Sequence, residues 1–106
     1  MSSDGCLFCR LASEGDHVSA SPNFVAIRDI NPKAEVHILV LPKRHLPTFR
    51  EIGELTEAEA KEMLEFVAAT ARGAGLDDYA LRIHVGADAG QEVFHLHWHV
   101  LGRPRP

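Results

Sequence analysis

Three histidines at alternate positions in "FHLHWHVLG" (94–102) constrain this chain more than any other feature. A period of two belongs to a β-strand, whose successive side chains point to opposite faces. His95, His97 and His99 then share one face, about 6.5–7 Å from one to the next by the strand rise. Leu96, Trp98 and Val100 take the other face, toward a core. In a helix, positions i and i+2 diverge by about 200°, which would scatter the histidines. The segment therefore asks for a strand buried on its apolar face and carrying imidazoles on the other.

The remaining elements follow from local signals. Residues 6–13 show a weak helical period, with Leu7, Leu11 and Ala12 on one face and Phe8 nearby. A short strand is expected over 17–21, a turn at "SPN" (21–23), a strand at "FVAIRDI" (24–30) and a loop at "NPKAE" (31–35). "VHILVLP" (36–42) is β-branched, apolar and ended by proline, the strongest strand in the chain. "HLPTFREIGEL" (45–55) holds one helical turn. The clearest helix runs from Thr56 to Arg72. Thr56 and Glu59 form a capping box. Ala60, Met63, Leu64, Val67, Ala68 and Ala71 form the expected buried stripe, and Gly73 and Gly75 end the helix. "YALRIHV" (79–85) is a strand, "GADAGQE" (86–92) a loop, and "VFHLHWHVLG" (93–102) the last strand. This order predicts an α+β domain with an antiparallel sheet of about five strands, one long helix and one short one.

Composition bounds the function. A chain of 106 residues makes a single domain, 1–106, and 45% hydrophobic residues suffice for a core. The formal net charge of −4 and the scattered cations, with small groups at Lys43-Arg44 and at Arg103 and Arg105, argue against nucleic acid as a partner. "MSSDGCLFCR" is short and polar and does not read as a secretory leader. No apolar run approaches the ~20 residues that span a bilayer, so no membrane partner is expected. The expected location is the cytoplasm, where Cys6-x-x-Cys9 suggests metal or redox chemistry more than a disulfide.

Three uses of the histidine row compete. Solvent-facing decoration needs three independent choices of an uncommon residue. A facial metal site needs a large distortion to bring such spaced rings onto one ion. Phosphorus chemistry fits better: a neutral imidazole is a nucleophile at pH 7, and a neighbouring imidazolium can neutralise a phosphate oxygen. The two glycines of "GADAGQ", directly before the row, could form a backbone nest for an anion.

"HLHWHVL" (95–101) resembles, at every position, the His-φ-His-φ-His-φ-φ motif (φ apolar) of the histidine triad, or HIT, family of nucleotide hydrolases and transferases. "CLFCRL" (6–11), "FVAIRDINPKAEVHILVLPKRH" (24–45) and "GADAGQEVFHLHWHVLGRP" (86–104) resemble family segments in family order. The "VLGRP" ending resembles the Hint branch, which hydrolyses nucleoside 5′-phosphoramidates. The resemblance implies a HIT-like fold, a homodimer with joined sheets, and a purine nucleotide as small-molecule partner. It implies catalytic roles for His95, His97, His99 and His37. His97 is the implied nucleophile, forming a nucleotidyl-histidine that water hydrolyses, with a backbone carbonyl fixing its tautomer. His99 and N–H groups near Gly90 and Gln91 would hold the non-bridging oxygens, and His37 would support the triad. Asp29 matches the acid that binds ribose hydroxyls. Phe8, Leu11, Ile27 and Ile30 match the nucleobase walls. His84 departs from the family, which usually has Asn near the phosphate there. Glu92 stands where some members have Ser or Thr and bacterial members often have Glu, so a direct phosphate contact is not expected of it. The short ending after the triad suggests an open leaving-group site. A dinucleoside polyphosphate hydrolase is the alternative enzyme reading, and a nucleotide-binding adaptor the non-enzymatic one.

Cys6 and Cys9 supply half of a tetrahedral zinc site. Some bacterial HIT proteins complete such a site with a histidine after the long strand and the first triad histidine, here His45 and His95. That set would be a closed structural Zn2+ site, and no organic cofactor is expected. Two ordinary buried thiols are the competing reading.

Overall fold

The computed structural model describes residues 6–104. The first five residues and the last two of the expected domain, Arg105 among them, lie outside the described residues. Helix α1 (Leu7–Glu14) is followed by strands β1 (Ser19–Ala20), β2 (Phe24–Arg28) and β3 (Val36–Pro42). A 3-10 turn (Phe49–Glu54) leads into α2 (Glu57–Gly73), then β4 (Tyr79–Arg82), a second 3-10 turn (Ala87–Ala89) and β5 (Trp98–Gly102). The strands form one antiparallel sheet in the order β1-β2-β3-β5-β4. The predicted α+β architecture is the one observed.

β3 holds the sheet's centre because its run of Ile38, Leu39, Val40 and Leu41 is buried on both faces. Alternation sorts the neighbouring strands the same way. Ala26, Ile38, Val40 and Val100 pack with Leu96 and Trp98 against Met63, Phe66 and Val67 of α2. Val25, Ile27, Leu39 and Leu41 pack against Phe8 and Ala12 of α1. The short α1 covers only part of its face, and the uncovered remainder becomes the cavity described below. The capping box of α2 is present: the Glu59 N–H donates to Thr56 Oγ1 at 3.0 Å and the Thr56 N–H to Glu59 Oε1 at 2.8 Å.

Several boundaries and faces differ from expectation. The buried face of α2 comprises Met63, Phe66, Val67, Thr70 and Ala71. It is rotated by roughly 60° from the predicted stripe at 100° per residue. The Phe66 ring fills the core, while Leu64 is left 58% exposed. β1, β2 and β4 are each shorter than predicted, and regular pairing in β5 begins only at Trp98. Upstream of Trp98 the chain bends, because the Leu96 N–H bonds to the Leu46 carbonyl at 2.6 Å instead of to a neighbouring strand. His95 and His97 therefore precede the ladder.

Candidate active site

The register of the sheet lays out the site. Ile27, Leu39, His99 and Arg82 are cross-strand partners in one row over β2, β3, β5 and β4, so their side chains share the face that α1 leaves open. A cavity of about 520 Å³ opens there. It is lined by Phe8, Leu11, Ile27, Asp29, Ile30, His37, His84, Gly90, His97 and His99 among the residues expected of a site. Ile30 is 89% exposed and forms only an open edge of the apolar wall.

The imidazoles are held in definite tautomers. His97 Nδ1–H donates to the His95 carbonyl at 2.7 Å. This leaves the Nε2 lone pair free in a buried ring that lines the cavity. The Lys33 backbone N–H donates to His37 Nδ1 at 3.0 Å. His37 Nδ1 is thus an acceptor, and its Nε2–H donates to His99 Nδ1 at 2.9 Å. His99 must then carry its proton on Nε2, which is buried and has no hydrogen-bond partner among the described residues. A buried donor without a partner is uncommon, and a catalytic role is one of the explanations such a group calls for. Asp29 Oδ2 lies 3.4 Å from His37 Nε2 and steadies the same relay. Asp29 Oδ1 accepts the Asn31 N–H at 2.8 Å and retains lone-pair capacity for hydroxyl donors.

Burial keeps His37, His97 and His99 neutral, so the imidazolium expected beside the nucleophile is instead an uncharged ring with an N–H to donate. Burial is the largest influence on His99, whose pKa is lowered to about 4, with the nearby His97, His37 and His84 adding to the effect. Burial likewise lowers His97, against the raising effect of its bond to the His95 carbonyl. His37 is lowered chiefly by burial, opposed by Asp29 and reinforced by Lys33 and Arg82. A neutral His97 with its far nitrogen bonded to a carbonyl is a competent nucleophile at pH 7. The unpartnered His99 Nε2–H is the adjacent donor for an oxygen gaining charge.

Two expectations are corrected. His95 is wholly buried and does not reach the cavity. Its Nε2–H donates to the Pro42 carbonyl at 2.8 Å and its Nδ1 faces the cysteines, so only its backbone carbonyl serves the catalytic row. The Gly90 and Gln91 N–H groups are not free for an anion, because they donate to the Ala87 and Gly86 carbonyls, both at 3.0 Å. Gln91 is buried away from the cavity, and its side chain ties Gly86 N–H to the Pro47 and Val93 carbonyls. It shapes the loop instead of touching a ligand. Gly90 lines the cavity at φ 97°, a left-handed conformation that favours glycine.

The second cluster lies behind the row. Cys6, Cys9, His45 and His95 offer ligand atoms all within 4.8 Å of one another. Cys9 Sγ is 3.1 Å from His45 Nδ1 and 3.2 Å from His95 Nδ1, and the two Nδ1 atoms are 3.3 Å apart. Ligands of tetrahedral zinc sit about 3.4 Å (N···N) and 3.6 Å (S···N) apart, from bond lengths of about 2.0–2.3 Å. The donor set, its spacing and the carbonyl behind His95 Nε2 therefore fit a closed zinc site with an orienting outer contact.

Sequence reasoning missed Lys33, Arg82, Leu39 and Leu101, which also line the cavity. Arg82 was findable, because it stands two residues before His84 in an extended segment and so shares its face. Leu39 and Leu101 carried no signal beyond that of ordinary core.

An α+β domain with a cavity on one sheet face, apolar side chains along part of its wall and an imidazole relay in its lining, defines a class of small-ligand proteins, and the comparisons narrow it. The HIT domain family pattern matches residues 11–105. Protein HitA of Neisseria gonorrhoeae is 34% identical over 105 residues, covering 95% of this chain and 98% of that protein. A purine nucleoside phosphoramidase of Escherichia coli is 37% identical over 79 residues, 73% of this chain and 66% of that protein. The crystal structure of a HIT family hydrolase from Legionella pneumophila superposes with a TM-score of 0.80 at 33% identity, covering 95% of each chain. The chain belongs to the HIT domain family.

Proposed function

We propose that this protein is a hydrolase of nucleoside 5′-phosphoramidates working through a nucleotidyl intermediate on His97. The observation that carries the reading is the pairing of a free His97 Nε2 with the orphaned His99 Nε2–H beside the cavity. The neutral His97 attacks the α-phosphorus, an N–P bond forms on Nε2, and the P–N bond to the leaving amine breaks as the amine takes a proton from solvent, which the hydrolysis step returns. Water then cleaves the N–P bond, releasing the nucleoside monophosphate and restoring neutral His97. His99 donates to a non-bridging oxygen while His37 holds the His99 ring. Phe8, Leu11 and Ile27 stack along the base, and Asp29 accepts from the ribose hydroxyls. The Escherichia coli relative's name supports a purine nucleotide as ligand.

Zinc in the Cys6, Cys9, His45 and His95 cluster would be structural, with no open position for a substrate. It would require reduced thiols, which fits a cytoplasmic location. Among the described residues no helix is long and apolar enough to cross a membrane. A homodimer is the proposed assembly. β4 leaves one sheet edge unpaired, with Tyr79 and Leu81 exposed on it.

The test is turnover of adenosine 5′-phosphoramidate beside that of a diadenosine polyphosphate. The phosphoramidate should be preferred, and His97→Ala should cut its kcat by about 10⁴-fold or more, as loss of a nucleophile does, while adenosine monophosphate still binds. Undiminished turnover in that variant would reject the reading.

A further inference from the structure

The metal cluster and the cavity share a wall. Phe8 stands in the first turn of α1, between Cys6 and Cys9. Its ring is buried, lines the cavity and meets the His97 ring edge-on at a centroid distance of 4.8 Å. The same ring lies 6.3 Å from that of His95, a member of the metal set. Leu7 and Leu11 of α1 line the cavity as well. The Arg10 N–H donates to the Cys6 carbonyl at 3.2 Å and closes the turn around Phe8. The Phe8 backbone therefore shifts only together with the turn that carries both sulfurs.

Little within the helix fixes that turn. α1 has 8 residues, fewer than the about 12–15 at which an isolated helix becomes even marginal in water. Its N-cap is a thiol in place of the usual hydroxyl, amide or carboxylate, and no acidic residue stands in its first turn. Its buried apolar seating comes from Phe8 itself and from Ala12. The sulfurs give the turn a second anchor. Cys6 Sγ and Cys9 Sγ lie 3.4 Å and 3.2 Å from His95 Nδ1, and Cys9 Sγ lies 3.1 Å from His45 Nδ1. The segments that carry these two histidines are joined in turn by the Leu96 N–H, which donates to the Leu46 carbonyl.

We infer that metal occupancy of the Cys6, Cys9, His45 and His95 site sets the affinity of the cavity for a nucleobase, with Phe8 as the positioning residue that carries the coupling. The inference rests on the base seating against Phe8, as proposed above. Metal on the four ligands pins the first turn of α1 and leaves the Phe8 ring in place as a ready wall. In the metal-free chain the base must order that turn before it can stack, and apparent affinity falls by the fraction of molecules in which the turn is formed. Linkage makes the effect reciprocal: a nucleotide that orders the turn tightens metal binding by the same factor. The competing explanation is that metal stabilises the domain as a whole, while apolar packing holds Phe8 in place with or without it. Every ligand of the cavity would then respond alike, including one that has no base.

The experiment measures binding of adenosine monophosphate and of ribose 5-phosphate to the full chain by calorimetry, zinc-loaded and chelator-stripped. Stripping should weaken the nucleotide about tenfold, a coupling of ordinary size, and the sugar phosphate by under about twofold. Chelator competition on the loaded protein needs no stripped form. It should show zinc held about tenfold more tightly with saturating adenosine monophosphate and unchanged with ribose 5-phosphate. Both factors should fall below about twofold in Phe8→Ala and persist in Phe8→Tyr. Nucleotide affinity indifferent to zinc, an equal response of the two ligands, or a factor unmoved in Phe8→Ala would overturn this inference and leave the proposed hydrolysis standing. Nucleotide bound by neither form would overturn the proposed nucleotide site and this inference with it.

Discussion

At the scale of single residues, the site depends on where four protons sit. Lys33 N–H fixes His37, His37 fixes His99, the His95 carbonyl fixes His97, and the Pro42 carbonyl fixes His95. These roles were legible in part. The period of two gave His97 and His99 a shared face and the resemblance pointed to His37, but a strand pattern cannot show that the chain bends before Trp98 and turns His95 behind the row. The backbone donors of the Gly90 loop were misassigned because glycine content marks a turn without saying which N–H groups that turn consumes. A pH dependence follows from the lowered pKa of His99. Its folded value is about 4, against about 6.5 for a free histidine side chain. The unfolded chain therefore binds more protons between those values, so stability is complete above pH 6.5 and is lost as pH falls toward 4. His37 contributes with the same sign. Between pH 7.5 and 5, wild type should lose about 1 kcal/mol more than His99→Asn in urea unfolding, after discounting for a half-buried group. Equal losses would show that His99 titrates normally.

At the scale of elements, α1 is held less by its own sequence than by its first turn. Its N-cap is Cys6, whose Sγ accepts the Cys9 N–H at 3.2 Å, so the two sulfurs that cap and follow this turn also face His45 and His95. The C-x-x-C spacing was readable from sequence, and only the folded chain shows that it joins a helix start to β3 and to the segment entering β5. Metal analysis should find one zinc per chain, and strong chelation should lower the melting temperature and expose α1 to proteolysis. Cys6→Ala should abolish zinc binding. A metal-free protein with unchanged stability would reject the site. The rotation of α2 shows a limit of the same kind. The expected stripe included Leu64, and the buried position went instead to the Phe66 ring, which packs with Met63 and Val67 in the core.

At the scale of the whole molecule, the sheet sorts structure from chemistry. The face toward α2 is closed and apolar, while the face toward α1 is half covered and carries every residue assigned a part in catalysis. The β4 edge is where the proposed second copy would pair. Pairing there would use backbone groups and leave the Arg82 side chain on the cavity face, and a sedimentation mass of one chain would reject that assembly. The architecture was visible in the sequence because a strongly apolar β3 and an alternating β5 admit few neighbours. The part of the cavity wall that Lys33 supplies was not, because Lys33 comes from a loop that carries no periodic pattern. The account's central claim is a covalent bond to one nitrogen. Acid-quenching the protein during turnover of adenosine 5′-phosphoramidate and weighing it intact should reveal a chain heavier by one adenylyl group, mapped to His97 by peptide fragmentation and absent in His97→Ala. Turnover with no adduct, or an adduct on any other residue, would contradict it.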